Sequence, residues 1–176
     1  MTCFVNNLKF GDVVNTLGMA YGDFKKTGTK PVMVVSQKYA SVLDGVGYVE
    51  KDVWTGDWSD LQGCMAYAKE KYKDVIQVST YGKGFTVSKK TPSFALEQYR
   101  MAGFDGAYGK LPLIFDKRDM KRETAFVDKH TKPNEKFILL ADHSESSPFD
   151  KTPELYALLR ENFGGEYRII RLSEIR

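Results

Sequence analysis

The chain has 176 residues, 42% of them hydrophobic and 13% aromatic, which is enough for a folded core and excludes a disordered chain. A formal net charge of +3 and a pI near 8.7 are too mild to argue for nucleic acid as a partner. The longest apolar runs, VMVV (32–35) and FILLA (137–141), are far too short to span a membrane, and the N-terminus lacks the basic and apolar regions of a signal peptide.

The first 24 residues read as strand, tight turn, helix. Phe4 and Val5 end a short apolar strand, and Lys9, Phe10 and Gly11 make the turn. Asp12 stands where the helix begins, so it is either the N-cap or a catalytic group, because a helix start offers free amides and partial positive charge. Val13, Leu17, Ala20 or Tyr21, and Phe24 repeat at helical spacing. Thr27-Gly28-Thr29 closes the helix, and Pro31 to Ser36 follows as a strand apolar on both faces, as in a buried parallel sheet. This is a βαβ unit.

The spacing then predicts a short helix over 37–43, a brief strand at Tyr48-Val49 and another at Val53-Trp54. Leu61, Met65, Ala68 and Tyr72 give a helix capped by Ser59 or Asp60, and Val75 to Val78 a strand. The segment from Ser79 to Pro92 is polar, with Lys83 between two glycines. It is either a solvated connection or a ligand loop at the carboxyl end of a strand. A helix over 94–101 and a proline-bearing edge strand at 111–115 follow. Asp119 to His130 reads as a charged helix, in which Lys117, Arg118, Lys121 and Arg122 form a phosphate-seeking patch or a solvated face.

After Pro133 a second unit begins. Phe137 to Ala141 reads as a buried strand, Asp142 to Pro148 as a hydroxyl-rich turn, and Thr152-Pro153 as a cap with proline at the first helical position. Leu155, Leu158 and Leu159 form a helix's apolar face, and Tyr167 to Leu172 is the last strand. The two cysteines, Cys3 and Cys64, fall in apolar elements and read as buried thiols of a reducing, cytoplasmic compartment. Two histidines, His130 and His143, and no ligand spacing give no metal site.

Two stretches together resemble one family. Gly11-Asp12-Val13-Val14-Asn15-Thr16 resembles the first-loop motif of the ADP-heptose:lipopolysaccharide heptosyltransferases, glycosyltransferase family 9. Phe137 to Leu159 resembles the opening of that family's second domain. The chain differs from the pattern at Gly18, near a family proline, and at Pro148 to Lys151, where the family has a lysine and a tryptophan-proline pair. The likeness runs the whole chain but only about the first half of the family's usual length.

The resemblance implies an α/β fold of GT-B type. Residues 1–116 would form a Rossmann-like acceptor-side domain, 117–135 a charged helix and linker, and 136–176 the incomplete start of a Rossmann-like donor-side domain. It implies sugar transfer from a nucleotide-sugar donor, itself a substrate rather than a cofactor, to a saccharide or other hydroxyl acceptor. Asp12 matches the family's general base, kept ionised at the helix start. Gly11, Ser144, Ser146 and Ser147 match the donor-phosphate contacts, and Asn15 and Lys83 are acceptor-side candidates. The alternatives are a non-catalytic GT-B module that binds a nucleotide, saccharide or protein, and a small single-sheet nucleotide-binding protein. The last lacks a GxGxxG or P-loop pattern. Pairing with another copy, or with a partner that supplies a second half, is the expectation for the unfinished sheet.

Overall fold

The structure is a computed structural model and describes residues 1–79, 94–142 and 151–175. The chain divides into two compact units, Met1–Arg118 and Asp119–Arg176. Its strands form two separate parallel sheets, so the single-sheet expectation fails for the described residues.

In the first unit β1 (Thr2–Asn6), α1 (Phe10–Thr27) and β2 (Val32–Ser36) make the expected βαβ. A 3-10 helix over Gln37–Gly45 leads to β3 (Glu50–Trp54), then α2 (Leu61–Lys71) and β4 (Asp74–Gln77). The four parallel strands run β3-β2-β1-β4. That is the order of a Rossmann-like sheet, in which the chain reverses direction across the sheet between β1 and β4.

The apolar strands explain the layering. Phe4, Met33 and Val35 pack on one face with Val13, Leu17 and Ala20 of α1. Cys3, Val5, Val32 and Val34 pack on the other with Cys64 and Ala68 of α2. Alternate side chains of one strand therefore feed two cores, which is why these runs are continuously hydrophobic. Gly28 ends α1 in the left-handed conformation (φ 70°), which glycine adopts without steric cost. Asp60 caps α2 by accepting from the Gly63 amide at 2.9 Å.

Two expectations in this unit need correction. Tyr48-Val49 and Val53-Trp54 are not two strands. One strand, β3, begins at Glu50, and Tyr48 precedes it with its ring buried against Tyr21 and Phe24. Leu111 to Phe115 is not a strand. The Ile114 carbonyl accepts instead from the Tyr48 hydroxyl at 3.0 Å, and Leu111 fills the space that Gly18 and Gly22 leave on α1. α3 (Phe94–Met101) forms as expected, and its Tyr99 packs in the core with α1.

The second unit contains α4 (Met120–His130), β5 (Phe137–Leu140), α5 (Thr152–Phe163) and β6 (Arg168–Arg171). Asp119 caps α4 by accepting from the Arg122 amide at 2.9 Å. The cap of α5 is Lys151, so Thr152 opens the helix one position earlier than expected. β5 is not buried as expected. Phe137 is 38% exposed and Leu139 45%, because among the described residues the two-stranded parallel sheet of β5 and β6 has little to cover it. Leu158, expected on a buried helix face, is exposed for the same reason.

Candidate functional site

The order of the first sheet reverses between β1 and β4, and in open parallel sheets the carboxyl ends of the strands at such a reversal are where ligands bind. Asn6 ends β1 and is fully buried. Its Nδ2 donates to the Asp12 carbonyl at 2.9 Å, and its Oδ1 accepts from the Leu8 amide at 3.1 Å. One side chain thus folds the strand end onto the first turn of α1. Asn7, next to it, donates through Nδ2 to the Trp58 carbonyl at 2.6 Å. The loop after β3 is thereby tied to the loop after β1, and Lys9 lies over the Trp58 ring at 5.9 Å.

The Asn7 bond to a carbonyl orients the amide, because only the nitrogen end can donate. Oδ1 of Asn7 is then buried with no hydrogen-bond partner. The ladder between β1 and β4 continues through the Val78 amide to the Val5 carbonyl at 3.0 Å. Extending its register by two residues sets Asn7 beside Ser79, whose Oγ is likewise buried and unpartnered. Buried oxygens without partners each cost about 1–3 kcal/mol. Asn7 Oδ1 and Ser79 Oγ carry that cost near the ends of β1 and β4, where the sheet reverses.

No family model matches the chain, and no curated protein and no solved structure does either.

Asp12 is not the helix cap. α1 begins at Phe10 with Lys9 as cap, so Asp12 lies in the first turn, half-buried. Nor does the helix start hold its carboxyl below the ordinary range. Burial pushes its carboxyl above the ordinary range, and a hydrogen bond from the Lys9 backbone and the Lys9 charge offset this only in part. A carboxylate made more basic in this way is a better proton acceptor near neutral pH. Gly11, beside it, is exposed, and a Cβ placed there would meet nothing within 4 Å, so the space in front of this turn is open.

Asn15 lies on α1 one turn beyond Asp12 and is half-buried, on a neighbouring part of the helix surface. The structure therefore brings together Gly11, Asp12 and Asn15. Lys83, Ser144, Ser146 and Ser147 lie outside the described residues. Asn6, Asn7 and Ser79 escaped the sequence reading. The available signal was a pair of asparagines directly ending a buried apolar strand at the first βα turn, where polar groups have no cheap structural reason to be buried.

Among the described residues no cluster of three or more histidines, cysteines or acids could hold a metal ion. Among them also no helix is long and apolar enough to cross a membrane. Cys3 and Cys64 are buried free thiols, and burial raises both to about 12. Such thiols are inert as nucleophiles.

Proposed function

We propose that the chain is a glycosyltransferase-like protein of GT-B type, whose first unit binds a hydroxyl-bearing acceptor at the carboxyl edge of its sheet. In this reading Asp12 takes the proton from the acceptor hydroxyl as its oxygen attacks the anomeric carbon of a nucleotide-sugar. The nucleoside diphosphate leaves with the electron pair of the broken glycosidic bond. The observation that carries the reading is Asp12 itself, a half-buried carboxyl of raised basicity at the point where a Rossmann-like sheet reverses. The resemblance of residues 11–16 to the heptosyltransferase loop adds the reaction class.

The test is Asp12→Asn in the full chain, with hydrolysis and transfer of a panel of nucleotide-sugars followed by nucleoside diphosphate release. Turnover should fall by about 10²–10⁴-fold, the usual contribution of a general base. Unchanged turnover removes Asp12 from the mechanism. The second reading, a non-catalytic binding module, is favoured by the sparse second unit, whose α5 buries no residue. It predicts saturable ligand binding that Asp12→Asn leaves in place, with no turnover in either protein.

A further inference from the structure

Asn6 is the last residue of β1, is wholly buried, and stands in register beside Val35 of β2. Burying an amide costs free energy that only its hydrogen bonds offset. Both ends of this amide are used close by. Oδ1 accepts from the Leu8 amide at 3.1 Å, and Nδ2 donates to the Asp12 carbonyl at 2.9 Å. These two bonds run to the turn that carries Asp12. The other end of Asp12 is held as well: its carboxylate takes a hydrogen bond from the Lys9 backbone amide, three residues back. The amides of Asp12 and Val13 in turn donate to the Lys9 carbonyl at 3.0 and 3.1 Å. Lys9 to Asp12 is therefore a closed turn, in which an acid at the third helical position reaches back to the cap residue.

A closed turn that is free to swing would carry its carboxylate into water. Fastened to the end of the strand, it keeps the carboxylate half-buried, as observed. We infer that Asn6 is a positioning residue for Asp12: its amide fixes the Asp12 backbone on the end of β1, and so sets where the carboxylate stands and how far water reaches it. The place calls for one donor and one acceptor on a short side chain. An ionised aspartate would lack the donor, and leucine would lack both. The meaning of this fastening for turnover rests on the reading of Asp12 as proton acceptor, while the fastening itself is testable without turnover.

The experiment is a carbon-13 NMR titration of the full chain, with the Asp12 carboxyl signal assigned by its loss in Asp12→Asn. In Asn6→Ala the Asp12 midpoint should move down from its native position toward the ordinary value of about 3.9, because the freed turn exposes the carboxylate. Asp52→Asn loosens the same unit at β3 and should leave that midpoint where it is, so a general loss of stability is told apart. The native protein gives a measurement that needs no variant to fold: the Asn6 side-chain amide protons should shift with the Asp12 titration, at the same midpoint. With a nucleotide-sugar that the native chain turns over, Asn6→Ala should lower kcat about 10-fold and leave KM within about 2-fold, since a displaced base slows proton transfer and not binding. Asn6 signals blind to the Asp12 titration, an Asp12 midpoint unchanged in Asn6→Ala, an equal displacement by Asp52→Asn, or an unchanged kcat would each overturn the assignment. Turnover that survives Asp12→Asn removes the transferase reading instead, and the titration still decides whether Asn6 positions Asp12.

Discussion

Asp52 on β3 offers a sharp test of how the first unit is held together. Its carboxylate accepts from the Tyr67 hydroxyl at 2.8 Å, the Tyr72 hydroxyl at 2.9 Å and Lys71 Nζ at 3.1 Å. Its side chain is only 16% exposed. All three donors come from α2 or its end, so one carboxylate ties that helix to the edge strand. Hydrogen bonds to charged groups contribute about 1.5–3 kcal/mol each, but exposed ion pairs contribute roughly 0–1 kcal/mol. Lys71 is exposed, so the two tyrosines should carry the effect. After the cost of holding the carboxylate away from water, Asp52→Asn should lose about 2 kcal/mol, near the middle of the range for single substitutions.

Both tryptophans, Trp54 and Trp58, lie in the first unit, so fluorescence in a urea titration reads that unit alone. With a urea slope of about 1.5 kcal/mol/M, the midpoint should fall by about 1.3 M. Burial pushes the Asp52 carboxyl up, but the bonds from Tyr67, Tyr72 and Lys71 outweigh it and leave the group below the ordinary range. Its folded value is therefore depressed. The stabilisation is complete above the unfolded value of about 3.9 and disappears as pH falls through the lower folded value. A midpoint shift under about 0.2 M, or no coupling with Tyr72→Phe in a double-mutant cycle, would refute the argument.

Gly18→Ala should destabilise the first unit, because a Cβ there would collide with the Tyr99 hydroxyl. Overpacking costs about 1–3 kcal/mol and the helix gains about 1 kcal/mol from alanine, so a net loss near 1 kcal/mol is expected, recovered by Tyr99→Phe. Asp12→Asn should stabilise the protein at neutral pH: its folded value is raised, so the cost of ionising it is absent below the unfolded value and complete above the folded one. Parallel urea curves at pH 3 and pH 7 check this, and a stability gain that does not grow with pH would contradict it. Cys3 and Cys64 should react with an aromatic disulfide about 10³-fold more slowly in the native protein than in urea at pH 8, given thiols raised to about 12.

The βαβ opening, the Gly28 stop and the α2 cap, narrowed to Ser59 or Asp60, were legible because each depends on a few neighbouring residues. The failures share one cause. FILL at 137–140 carries the same apolar signal as VMVV at 32–35, yet the first is half uncovered and the second fully buried. A run of apolar residues states that a strand is suited to burial, not that a second layer of helices exists to bury it. Leu111 to Phe115 is likewise apolar, but the Ile114 carbonyl accepts from the Tyr48 hydroxyl at 3.0 Å and the Leu111 amide donates to the Ala107 carbonyl at 3.3 Å. Which distant group takes a carbonyl is not written in the local pattern. Asn7 and Ser79 were missed for a related reason, since their burial is set by the loops around the strand ends and not by their own local pattern.

The carboxylates separate structural from chemical roles. Asp52 and Asp142 are both surrounded by donors, and in both the surrounding hydrogen bonds leave the charged form favoured over the ordinary range. For Asp142, the Ser173 hydroxyl leads, outweighing burial together with the Ser173 amide and Arg171, and holds the group at about 2. Such groups are fixed in one protonation state and serve as anchors, one for α2 and one for Arg171. Asp12 is the opposite case. It sits at a helix start, the position best able to stabilise an anion, and burial still prevails over the donors around it. The raised basicity of Asp12 at the reversal of a Rossmann-like sheet is what the proposed role as proton acceptor draws on, and Asp12→Asn is its test.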